Sequence, residues 1–136
     1  MAKIDVTKVW SLNYRLVTSV IAEVAPALHD LGVEVKELFL LAELDAHPHP
    51  AGLAEALVMP KPSVTVYVKR VEEAGFVKRE IDTTDLRRYN LSLTTEGRKV
   101  MTRGLALLAA TFGKRMGRLT AAQQADFKAA LEKLGS

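Results

Sequence analysis

Residues 53–97 read LAEALVMPKPSVTVYVKRVEEAGFVKREIDTTDLRRYNLSLTTEG, and the fold of the chain turns on how this stretch divides. Leu53, Ala54 and Leu57 recur at helical spacing, which predicts a short helix over 51–58. Met59-Pro60-Lys61-Pro62-Ser63 then makes a tight turn into a helix over 61–74. Proline is tolerated in a helix's first turn, because an amide there has no intrahelical partner. Gly75 closes that helix. The period then changes. Residues 76–81 and 88–93 are β-prone, and the polar tip Asp82-Thr83-Thr84-Asp85-Leu86-Arg87 between them makes the pair a β-hairpin. Two helices around a tight turn, followed by a hairpin, form a winged helix-turn-helix.

On the N-terminal side, Val9, Leu12, Leu16, Val20, Val24, Leu28 and Leu31 predict a helix over 7–31. Pro26 bends it or marks its last turns, and Gly32 stops it. A second helix over 34–46 turns Leu38, Leu41, Ala42 and Leu44 inward, and His47-Pro48-His49-Pro50 forbids its continuation. On the C-terminal side, Thr94 or Thr95 caps a helix over 96–119, with Glu96 in its first turn. Its apolar positions include Val100, Leu107, Leu108 and Phe112. Thr120 caps a last helix that carries Phe127, Leu131 and Leu134. The expected fold is mainly α with a β-hairpin wing, one domain over 1–136. A winged helix-turn-helix over 34–95 is flanked by long helices at 1–33 and 96–136. Their apolar faces exceed what the central module can cover, so they are read as dimerisation helices.

Charge follows the same division. Residues 1–60 hold four Lys or Arg against eight Asp or Glu, whereas 61–103 hold ten against six and 104–136 five against two. Positive charge begins where the second helix of the turn begins, as a phosphate backbone would favour. There are no cysteines, which excludes disulfides, thiolate nucleophiles and Cys-based zinc sites and suits a cytoplasmic location. The N-terminal Met-Ala-Lys-Ile-Asp lacks the pattern of a signal peptide. No apolar run approaches the ~20 residues of a membrane span, so no membrane partner is expected.

In the helix over 61–74, Val64, Val68 and Val71 face the core with Tyr67 half buried beside them. The opposite face presents Lys61, Ser63, Thr65, Val66, Lys69 and Arg70. Ser63 and Thr65 suit hydrogen bonds to base edges in a major groove, and Val66 suits a thymine methyl. Lys61, Lys69 and Arg70 suit phosphates, which position without reading sequence. In the hairpin, Asp85 can hold the Arg87 guanidinium in one geometry for a minor groove, and Arg79 and Arg88 add phosphate-reaching charge.

The order Leu53-Ala54-x-x-Leu57, Ser63-Val64-Thr65, Arg70-x-Glu72, Gly75-Phe76-Val77, Asp82, Asp85-x-Arg87 and Leu93-Thr94-x-x-Gly97 closely resembles the signature region of the MarR (multiple antibiotic resistance regulator) family. The frame fits without gaps and extends more loosely over the whole chain. The resemblance implies a bacterial transcription regulator, a homodimeric repressor with interleaved terminal helices and no cofactor. Its partner would be double-stranded DNA carrying an inverted-repeat operator, with half-sites about 10 base pairs apart. It also implies a small lipophilic or anionic effector, for which Trp10, Tyr14, Arg15 and the 36–44 helix are candidates, against their use as dimer packing. Two departures bear on affinity: many members lack the paired Pro60 and Pro62, and many carry a basic residue where Val66 stands.

Other chemistries fare worse. His47 and His49 could meet Glu43 or Asp45 around a metal, but the alternating prolines favour solvated loop histidines, and no metal is expected. The eight glycines are scattered singly and no hydroxyl has a neighbouring histidine, so no enzyme is expected. The competing function is a winged-helix module that recognises protein, with weak or lost DNA binding.

Overall fold

A computed structural model describes residues 3–85 and 87–135; Leu86, inside the hairpin tip, lies outside the described residues. Its elements are α1 (Val6–Asp30), α2 (Val35–Glu43), α3 (Pro50–Leu57), α4 (Lys61–Glu73), β1 (Val77–Ile81), β2 (Tyr89–Leu93), α5 (Thr95–Met116) and α6 (Ala121–Gly135). The mainly helical chain with one hairpin is the architecture that the sequence predicts. β1 and β2 pair antiparallel in the register Val77↔Leu93, Arg79↔Leu91, Ile81↔Tyr89. Val24–Leu107 form one compact unit; the described residues up to Glu23 and from Leu108 onward form another. The unit that holds the helix-turn-helix thus also takes in the end of α1 and the first half of α5.

Within Val24–Leu107, α2 packs on both α3 and α4. Val64, Val68 and Val71 of α4 are at most 2% exposed and sit one above another, as the 3.6-residue period requires. On α2 the buried set differs from the expected one: Leu38, Leu41 and Leu44 are buried, but Leu40 replaces Ala42, which is exposed. With Glu37, Leu40, Leu41 and Leu44 make the i, i+3, i+4, i+7 stripe, and Ala42 falls outside it. α2 also stops at Glu43 rather than 46, because Pro48 disfavours helical backbone at His47. Residues 44–46 form a turn closed by the His47 N–H on the Glu43 carbonyl at 2.9 Å.

Thr94 is the residue that caps α5, accepting the Gly97 N–H at 3.0 Å. Its hydroxyl donates to the Gly75 carbonyl at 2.6 Å and its N–H to the Phe76 carbonyl at 3.0 Å. The first turn of α5 is therefore clamped to the turn between α4 and β1. The approach is so close that a Cβ on Gly97 would lie 1.9 Å from the Phe76 carbonyl oxygen.

In the other unit, Phe112 of α5 meets Phe127 of α6 edge-on at 6.5 Å, and Arg115 pairs with Glu23 at 3.5 Å. α5 ends at Met116, short of the expected 119, where the Gln124 amide donates to the freed carbonyls of Met116 and Leu119. Thr120 and Gln123 cap α6 reciprocally. No single helix of the described residues is long and apolar enough to cross a membrane.

Candidate nucleic-acid interface

The outward face of α4 carries Lys61, Thr65, Val66, Lys69 and Arg70 exposed, with Ser63 half-buried. The Thr65 hydroxyl donates back to the Lys61 carbonyl at 3.1 Å, which leaves its lone pairs for an outside donor. Pro60 precedes the helix, and its carbonyl takes the N–H of both Ser63 and Val64. Pro62 has no N–H, so the start of α4 offers side chains more than backbone amides. The Arg70 guanidinium sits 5.5 Å over the Tyr67 ring, on the same helix.

The hairpin tip is built by two carboxylates. Asp82 Oδ1 accepts the Thr84 hydroxyl at 2.7 Å, the Thr84 N–H at 2.8 Å and the Asp85 N–H at 3.4 Å. These bonds, the Thr84 hydroxyl foremost, hold the Asp82 carboxyl below its ordinary range. Asp85 Oδ1 accepts both the Arg87 N–H at 3.0 Å and its Nε at 3.3 Å. The Arg87 side chain is nonetheless 91% exposed, and its two terminal nitrogens take no part in the Asp85 contact. Asp85 and Arg87 are thus brought together, while Arg88 stands exposed beside them.

Arg79 lies elsewhere, on the hairpin face that carries Val77, Leu91 and Leu93. Its Nη2 donates to Glu72 Oε1 of α4 at 2.6 Å, and its guanidinium carbon lies 4.0 Å over the Tyr89 ring. The hydrogen bond to Glu72 raises the guanidinium's pKa further, with burial opposing. β2 is also held along its other edge: the Leu91 N–H donates to Pro48 O at 2.8 Å, and His49 Nδ1 lies 3.3 Å from Tyr89 O. Glu72, Tyr89, Asp82 and His49 escaped the sequence reading. Strand alternation was the available signal for Arg79, since it shares its face with Val77.

The other candidates are more dispersed. Trp10 and Tyr14 stand exposed on α1 with rings 6.3 Å apart, and Arg15 borders an open groove with Leu16, Ser19 and Arg115. All three belong to the unit of the chain ends, whereas the 36–44 helix belongs to the other. His47 lies 3.8 Å from Glu43, Asp45 pairs with Arg98 at 3.1 Å, and His49 turns to Tyr89. Among the described residues no three His, Cys, Asp or Glu side chains gather as a metal would need.

Residues 31–88 match the sequence model of the MarR family. Over 130 residues the chain is 35% identical to the HTH-type transcriptional repressor Rv2887 of Mycobacterium tuberculosis, covering 92% of this chain and 91% of the relative. The chain belongs to the MarR family. It is a MarR-family transcriptional regulator and not an enzyme. Its fold superposes with a TM-score of 0.76 on the crystal structure of Rv2887 in complex with DNA, at 34% identity over 93% of this chain and 96% of that one. The Rv2887 complex with p-aminosalicylic acid gives the same TM-score at 33% identity, over 93% and 97% of the two chains. In this MarR-family regulator the paired prolines therefore leave the helix-turn-helix intact. What they alter is the start of α4, where one amide is absent and two are already engaged.

Proposed function

We propose that this MarR-family regulator is a sequence-specific repressor that binds double-stranded DNA as a homodimer on an inverted-repeat operator. The observation that carries the reading is the pairing, within one compact unit, of an outward basic and hydroxyl-bearing face on α4 with Arg87 held exposed at the hairpin tip. Ser63 and Thr65 address base edges in the major groove, and Val66, 50% exposed, packs on a thymine methyl. Lys61, Lys69, Arg70 and Arg88 meet phosphates, and Arg87, oriented by Asp85, enters the minor groove. The relative Rv2887, crystallised with DNA, supports this assignment.

The terminal helices at 1–33 and 96–136 supply dimerisation, and the winged module over 34–95 supplies DNA contact. An apolar groove of ≈ 300 Å³ lined by Val9, Leu12, Leu16, Phe127, Leu131 and Leu134 supports a second copy there. Leu12 is 54% and Leu134 81% exposed in the single chain. Apolar surface of that kind gains about 25 cal/mol per Å² when covered. A small aromatic or anionic effector releases the repressor by favouring a spacing of the two α4 helices that misfits the operator. Rv2887, crystallised with p-aminosalicylic acid, supports that class, with Trp10, Tyr14 and Arg15 as its contacts. The site of action is the cytoplasm, where bacterial DNA lies.

Selection of duplexes from a random pool, followed across salt concentration, tests the proposal. An enriched inverted repeat with a steep inverse salt dependence is expected. Uniform weak binding without enrichment would instead favour a protein-recognising module. Sedimentation of the free protein should give a dimer.

A further inference from the structure

We infer that Arg79 is a positioning residue, which braces the hairpin against the end of α4 so that Arg87 meets DNA in fixed register with the α4 face, and that it does not contact phosphate. The inference rests on the DNA reading above and reassigns one of its arginines.

The guanidinium is used twice. Its edge donates to Glu72 at 2.6 Å, and its plane lies 4.0 Å over the Tyr89 ring. Only arginine combines a directional donor with a flat stacking face; a lysine ammonium offers a compact point charge. The Glu72 side chain is only 25% exposed, so the contact lies partly sheltered at the base of the hairpin. Reaching a phosphate would require Arg79 to leave both partners. It would also leave the Glu72 carboxylate unneutralised near the DNA.

The hairpin needs such a brace. It has two strands of five residues, and an isolated two-stranded hairpin is marginal in water. Arg87 itself is 91% exposed and held by one carboxylate oxygen, so its place relative to α4 is set by the base of the hairpin rather than by its tip. Arg79 pairs with Leu91 at the middle of the ladder, and on the opposite edge the Leu91 N–H is fixed to Pro48 O. His49, the residue preceding α3, is at Tyr89 O. β2 is thereby tied to the exit of α4 through Arg79 and to the start of α3 through its backbone. Fixing Arg87 before DNA arrives removes an ordering cost from binding.

The test uses the full-length protein and the duplex enriched by the wild type, with binding followed by fluorescence anisotropy across salt. Glu72→Gln gives opposite signs for the two views. Removing a negative charge beside DNA tightens binding by electrostatics alone, whereas loss of the brace weakens it. The brace predicts that Glu72→Gln and Arg79→Gln each weaken specific binding by about three- to tenfold, the size of a partly exposed ion pair with a cation–π contact. The slope of log K against log salt should stay at the wild-type value, since a lost phosphate contact would reduce it by about 0.9. Arg79→Lys should fail to restore affinity. In an Arg87→Ala background the same substitutions should change little, because the group they position is gone. Tightened binding by Glu72→Gln, rescue by Arg79→Lys, or a reduced slope in Arg79→Gln would each overturn the inference and return Arg79 to the phosphates. A wild type that enriches no duplex would instead remove the DNA reading itself. Should Arg79→Gln fail to fold by circular dichroism, Glu72→Gln decides the sign alone.

Discussion

Gly97→Ala is expected to destabilise the protein, against the ordinary helix-propensity trend. Gly97 lies in the first turn of α5, and on propensity alone alanine would stabilise a helical position by up to about 1 kcal/mol. A Cβ at this position, however, would lie 1.9 Å from the Phe76 carbonyl oxygen and 2.7 Å from its carbon. These are backbone atoms, which no side-chain rotation can move. Relief requires the start of α5 to back away by an ångström or more. That movement strains three hydrogen bonds: Thr94 N–H to Phe76 O, the Thr94 hydroxyl to Gly75 O, and Gly97 N–H to the Thr94 hydroxyl. At about 1 kcal/mol each, the loss is about 3 kcal/mol, and the propensity gain leaves a net of about 2 kcal/mol. The melting temperature should fall by about 5–10 °C, measured by circular dichroism at matched protein concentration because a dimer's stability depends on it. Gly113→Ala is the control. It lies on the same helix, a Cβ there would meet nothing within 4 Å, and it should stabilise slightly. If Gly97→Ala melts at or above the wild type, the clamp between Thr94 and the α4–β1 turn does not explain this glycine.

Arg87→Ala should weaken operator binding by about 1–3 kcal/mol, as for loss of one groove contact, with an unchanged melt and an intact dimer by sedimentation. Binding at wild-type strength would remove the hairpin from the mechanism. Val58 ends α3 with φ 52° and a side chain 90% exposed, so a β-branched residue bears a left-handed backbone with almost no packing in return. Val58→Gly should stabilise by about 1 kcal/mol in urea unfolding; a loss would mean that Val58 makes contacts that offset its backbone strain. The Asp82 pKa is depressed in the folded state, so its contribution is present above the ordinary aspartate range near ~3.9 and is lost as pH falls through the depressed value. Faster exchange of the Thr84 and Asp85 amides is expected only in that acid window, corrected for intrinsic exchange; protection that is flat across it would remove Asp82 from the tip's ordering.

The sequence by itself determined what depends on neighbours along the chain. The 3.6-residue stripe of Val64, Val68 and Val71, the change of period at Phe76, the glycine stop at Gly75 and the cap before α5 are short-range patterns, written within a few residues of where they act. The wing pair Asp85 and Arg87 was legible for the same reason, since two residues of a tip lie within reach whatever the rest of the chain does. Only the tertiary structure decided which residues of distant elements meet. Leu40 rather than Ala42 is buried because α2 packs on two partners, and the sequence of α2 does not say where they stand. Arg79 reads as one more basic wing residue until α4 brings Glu72 and β2 brings Tyr89 to its two faces. Gly97, 21 residues from Phe76 in sequence, is a glycine because that carbonyl occupies the space of its Cβ. Periodicity is a property of one element, whereas contact is a property of two, and their spacing is set by packing rather than by local order.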